Sequence, residues 1–156
     1  MKPERIVLHH SATQDGLTVS WNAIRRYHVG ECCWEDIGYH FGIELVGDPG
    51  HPAGSYEIMM GRMPDRPGAH TSGHNSDSLG VCFVGNFDHC LPPDRQWKAG
   101  LNLVAWLCRL YRLQPDDVHG HREFANKSCP GEMFDINKFR RDLIPLGFPG
   151  CRTAAS

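Results

Sequence analysis

Ile6-Val7-Leu8-His9-His10-Ser11 is the stretch on which the fold turns. Its β-branched and apolar run suits a buried strand, and that strand delivers two histidines to its end. Leu79 to Val84 reads as another continuous apolar strand, and His40 to Leu45 as a third. Gly47-Asp48-Pro49-Gly50 has the composition of a turn, with a short strand around Tyr56 to Met59 beyond it. A brief strand near Val118 leads into His119-Gly120-His121.

Helical periodicity fills the gaps between these runs. Thr18 or Ser20 can cap a helix reaching to about His28, with Trp21, Ile24 and His28 at helical spacing. After Pro92-Pro93, the segment Asp94 to Leu113 places Trp97, Leu101, Val104, Cys108 and Tyr111 three or four residues apart, which predicts a long helix with one buried face and Asp94 as its N-cap. A last helix follows Ile136-Asn137, with Phe139 and Leu143 inward. Strands alternating with helices predict an α/β fold: a single domain, residues 1–156, with a central mixed β-sheet flanked by α-helices. The alternation leaves the strand order open. Residues 149–156 are expected to form a loose tail.

Composition narrows the function. The chain has 156 residues, enough to bury one sizeable core, and its net charge of −2 exerts no global pull toward nucleic acid or an anionic membrane. Lys138, Arg140 and Arg141 read as a solvated helix face. No run approaches the roughly 20 apolar residues needed to span a bilayer, and Met1 to Arg5 lacks the plan of a secretory signal, so the expectation is a cytoplasmic protein, monomeric, without membrane insertion. Seven cysteines cannot all pair within one chain and lack the spacing of a disulfide framework; most should be reduced thiols.

Ten histidines make position the deciding question. Two places stand out: His9-His10 at the strand end, and His119-Gly120-His121-Arg122-Glu123 followed by Lys127-Ser128-Cys129-Pro130. Imidazole with thiolate is a suitable set for zinc, and a catalytic zinc keeps three protein ligands and a fourth position for water. His9, His121 and Cys129 would supply such a set and suit hydrolysis of an amide. Spacing alone also allows a closed structural zinc site using His119 or His10 as a fourth ligand, or a metal-free protein with scattered core histidines.

The order of motifs adds a resemblance. Ile6-Val7-Leu8-His9-His10-Ser11-Ala12-Thr13, Asp36-Ile37-Gly38-Tyr39-His40-Phe41, Leu79-Gly80-Val81-Cys82-Phe83-Val84-Gly85, and His121-Arg122-Glu123 with Lys127-Ser128-Cys129-Pro130 together resemble the type-2 N-acetylmuramoyl-L-alanine amidases, from about residue 5 to residue 145. That family includes short phage endolysins, and peptidoglycan recognition proteins share its fold. The resemblance implies one zinc ion on His9, His121 and Cys129, with His10 a neighbour. It also implies functional roles for Tyr39 and Lys127, either of which could stabilise an oxyanion or orient the attacking water. Gly68-Ala69-His70 and Gly73-His74-Asn75-Ser76-Asp77-Ser78 look like the family's loop beside the cleft, with His70 a candidate for substrate contact; relatives often carry Asn where this chain has Asp77. Glu123 is expected either to accept a hydrogen bond from a ligand histidine or to pair with a cation.

The reaction so implied is hydrolysis of the amide between N-acetylmuramic acid and L-alanine, with peptidoglycan or muropeptides as partner and no nucleic acid. A phage or prophage endolysin, held in the cytoplasm until release to the cell wall, fits a short catalytic domain. A cytosolic muropeptide-recycling amidase, a non-catalytic peptidoglycan-binding module and a structural zinc protein are the alternatives.

Overall fold

The computed structural model describes residues 1–13, 20–48 and 51–147. Its first strand, β1 (Arg5–His10), lies inside the sheet: it pairs in parallel with β4 (Ser78–Phe83) on one side and with β5 (Val118–Gly120) on the other. β2 (Phe41–Asp48) runs parallel to β4 and antiparallel to β3 (His51–Met60), giving the order β3-β2-β4-β1-β5. The sheet is therefore mixed, as expected. β1 and β4 are buried almost without interruption, and apolar through Ile6-Val7-Leu8 and most of β4, because both of their faces are covered.

Three helices provide that cover. α1 (Trp21–Arg26) starts at Ser20, whose hydroxyl accepts the Ala23 N–H, and runs into a wider turn, Tyr27–Glu31; Thr18 lies outside the described residues. Trp21 and Ile24 pack with Ile37, Cys82 and Val84 on one face of the sheet. On the other face, α2 (Asp94–Tyr111) and α3 (Ile136–Leu143) bury Leu101, Val104, Leu107, Phe139 and Leu143 against Ile6, Leu8, Leu79, Val81 and Phe83. No described helix is long and apolar enough to cross a membrane.

Two expectations need correction. The N-cap of α2 is Pro93, with φ −56° and ψ 142°, and Asp94 is the first helical residue. There its carboxylate faces the positive end of the helix dipole instead of capping an N–H. β3 also begins well before Tyr56, at His51, because main-chain pairing with β2 continues through Gly54, whose φ of 68° and the register shift between Val46 and Asp48 accommodate the irregularity. Pro49, Gly50 and the segment 149–156 lie outside the described residues.

Gln96 joins layers. Fully buried on α2, it donates from Nε2 to the carbonyls of Ile43 and Val84, at 3.1 and 2.8 Å, where the pairing of β2 with β4 ends.

Candidate metal centre

Side chains alternate across a strand, so His9 and His10 leave β1 on opposite faces. Ile6 and Leu8 point to the α2/α3 layer, and His10 follows them: its Nδ1 accepts the Phe87 N–H at 3.2 Å. His9 takes the other face, level with Cys82 of β4, and is 1% exposed. That alternation is the physical reason only one of the pair can serve the site.

The other two candidate ligands come from the chain after β5. His121 opens the single turn His121–Glu123, and the Arg122 N–H donates to the Cys129 carbonyl at 2.7 Å, which brings the two ligand segments side by side. Arg122 then clamps the loop, donating from Nη1 to the Gly131 carbonyl (2.6 Å) and from Nη2 to the Phe134 carbonyl (2.7 Å). Asp88 holds its far side, accepting from Ser128 Oγ and Glu132 N–H at 3.1 Å each.

The ligand atoms of His9, His121 and Cys129 all lie within 4.8 Å of one another. Cys129 Sγ stands 3.6 Å from His9 Nδ1. That is long for a strong hydrogen bond, yet it is close to the roughly 3.5 Å that separates a nitrogen and a sulfur ligand on tetrahedral zinc, given metal bonds of about 2.0 and 2.3 Å. Burial lowers the His9 pKa well below its ordinary value and lowers that of His121, so both imidazoles are neutral and have a lone pair to give. Burial also pushes the Cys129 thiol up to about 11, against the pull of Lys127 and Arg122. The set fits a zinc ion, with Cys129 the ligand that must give up a proton.

A cleft of about 480 Å³ lies over these atoms, walled by Trp34, Tyr39, His70 and Lys127. It adjoins a second recess of about 440 Å³, lined by Thr71, Ser72, Asn75, Phe124 and Lys127. Tyr39 sits with its ring 5.1 Å from that of His9, on a loop fixed by Gly38 N–H donating to His28 Nδ1 and Arg62 N–H donating to the Tyr39 carbonyl. Burial, followed by the nearby Cys82 and Cys129, raises its pKa well above the ordinary phenol value, so it keeps its proton. A larger recess of about 730 Å³ lies against Arg25, Asp36, Arg62 and Arg66. Its charges are engaged, Arg25 with Asp36, Arg66 with Glu35, and Arg62 with backbone carbonyls.

The remaining candidates separate. His70 borders both parts of the cleft but is only 8% exposed, with Nδ1 already facing His9 and Thr71. Glu123 reaches no ligand histidine: it accepts from His119 Nδ1 (2.9 Å), Gly120 N–H (2.9 Å) and Arg140 Nη2 (2.8 Å). Arg140 thus belongs to an ion pair and not to the solvated face it shares in sequence with Lys138 and Arg141. Asp77, where the loop departs from the family pattern, binds Arg5 Nη1 at 2.5 Å. Sequence reasoning gives no role to Thr71, Cys82, Trp34 or the Arg122 side chain; for Cys82, the signal was its place beside His9 in adjacent parallel strands.

A family model described as N-acetylmuramoyl-L-alanine amidase matches residues 1–132. An endolysin of Enterobacteria phage K11 is 35% identical over 137 residues, covering 85% of this chain and 82% of that protein. The human N-acetylmuramoyl-L-alanine amidase is 36% identical over 73% of this chain, which spans only 19% of the human protein. Among solved structures, the endolysin N-acetylmuramoyl-L-alanine amidase LysCS from Clostridium intestinale URNW superposes with a TM-score of 0.75 at 26% identity, covering 92% of this chain and 84% of that one.

Proposed function

The chain belongs to the N-acetylmuramoyl-L-alanine amidase family, and from that premise we propose that it uses one zinc ion to hydrolyse the amide joining N-acetylmuramic acid to L-alanine in peptidoglycan. One observation carries the reading: His9, His121 and Cys129, from two distant parts of the chain, converge in a cleft beside Tyr39 and Lys127. A zinc ion in that position supplies acidification of water and polarisation of a carbonyl oxygen. His9 and His121 contribute neutral imidazoles, and Cys129 contributes sulfur after losing its proton. Tyr39, protonated and facing the ligands, donates a hydrogen bond to the oxygen on which charge develops. Lys127, at the junction of the two recesses, places a cation beside the same oxygen or orients the attacking water. The recess beyond Lys127 leaves room for substrate on either side of the scissile amide.

The match to most of a phage endolysin supports a lytic role, with the enzyme reaching the wall after release from the cytoplasm. Mass analysis of wall digests, with and without chelator, tests the reaction. The expected products are glycan strands with free lactyl carboxylates and peptides with free L-alanine amines, lost with chelator, regained with zinc and absent in Cys129→Ser. Full activity of that variant sinks the mechanism, and a strict preference for soluble muropeptides over intact sacculi sinks the lytic role.

A further inference from the structure

The two ring nitrogens of His9 face different partners. Nδ1 looks toward Cys129, and Nε2 lies 3.1 Å from His70 Nδ1 and 3.4 Å from Thr71 Oγ1. A hydrogen bond between His9 Nε2 and His70 Nδ1 needs one proton between them, and the ring that supplies it decides which nitrogen of His9 keeps a lone pair. If His70 donated, His9 would carry its proton on Nδ1, where a metal ligand needs a lone pair. His70 would also be left with a bare, buried Nε2. If His9 donates, His70 carries its proton on Nε2. That atom has no hydrogen-bond partner in either arrangement. Only the second arrangement leaves His9 Nδ1, the nitrogen that faces Cys129, with the lone pair a metal needs.

His70 is built into place for this contact. Its ring lies between Gly68 and Gly80, where an added Cβ would stand 2.3 and 2.6 Å from Cδ2. Its backbone N–H and that of Thr71 both donate to Asn75 Oδ1, at 2.8 Å each. Thr71 Oγ1 closes a triangle at 2.9 Å from His70 Nδ1.

We propose that His70 is a positioning residue that accepts a hydrogen bond from His9 Nε2–H and so presents the free Nδ1 of His9 to the metal. The role rests on the zinc reading above, but its hydrogen bond belongs to the metal-free chain as well. It draws the Gly68-Ala69-His70-Thr71 segment and Asn75 into the metal centre, with His70 acting through a ligand and not on substrate.

Two measurements test it. Long-range proton–nitrogen correlation spectra of the metal-free protein near neutral pH should show His9 as the Nε2–H tautomer. Zinc competition with a chromogenic chelator should show an affinity about 10–100-fold lower in His70→Phe, with His70→Asn, whose Oδ1 stands where Nδ1 stood, within about threefold of the parent chain. An Nδ1–H tautomer for His9, unchanged affinity in His70→Phe, or equal losses in the two variants overturns the proposal. Should the parent chain bind no zinc, the metal assignment falls and this role falls with it; zinc binding with any of the three adverse results removes the role of His70 alone. The tautomer measurement on the parent chain stands even if His70→Phe fails to fold.

Discussion

Of the three candidate ligands only Cys129 would have a proton to lose to a metal, because burial holds its thiol near 11 while His9 and His121 are already neutral. Below that value the thiolate fraction grows tenfold per pH unit. The apparent zinc affinity should therefore rise about tenfold per unit between roughly pH 7 and 9, with one proton released per ion; competition titrations across that range measure it, and a flat profile would count against Cys129 as ligand. Tyr39 keeps its proton through the same range. Tyr39→Phe should lower kcat by about 10²–10³-fold, the usual loss of one oxyanion donor, with metal content unchanged. At this scale the sequence was legible only in part. Strand alternation says that His9 and His10 diverge but not which of them meets Cys129, and nothing in His119-Gly120-His121 says that His119 is spent on Glu123. Those choices depend on what stands opposite, which is tertiary information.

Elements were easier to read than their joints. The spacing from Trp97 to Tyr111 identified α2 and its buried face because that face is apolar over five turns, and Ile6 to Leu8 identified β1 because both of its sides are covered. The joints are polar, local and made through the backbone, so hydropathy is silent about them. Arg122 is the clearest case, as its guanidinium satisfies the carbonyls that fold the 121–134 loop around Cys129. Arg122→Met should cost about 1.5–3 kcal/mol of stability for each lost charged hydrogen bond at the upper limit and weaken zinc binding. Thermal melts and zinc titration of the same variant check both, and a variant with unaltered zinc affinity would show that the loop holds its shape without the clamp.

The whole molecule carries an unusual load of neutral imidazole. Burial lowers the pKa of His9, His10, His28, His40, His70 and His121, that of His70 to about 3. An unfolded chain protonates these rings near pH 6.5 and the folded one resists. Stability is thus fully present above that value and falls as the pH drops below it, by about 1.4 kcal/mol per unit for each fully buried ring such as His9 or His70. Urea titrations of the metal-free protein at mildly alkaline and mildly acid pH should show the midpoint fall, and a midpoint that rises on acidification would contradict it. Strand order was the part of the architecture the sequence kept hidden: β1 finds its neighbours at Ser78–Phe83 and Val118–Gly120, far along the chain, and such partners leave no periodic mark. The same long reach has a further effect. His9 and Cys129 are 120 positions apart, and an ion bound between them is a cross-link that the unfolded chain cannot form without closing that loop. Zinc held there would bind the native state alone, adding about 4 kcal/mol at a thousand times its dissociation constant, and a chelator would then act on the entire chain as a mild denaturant does.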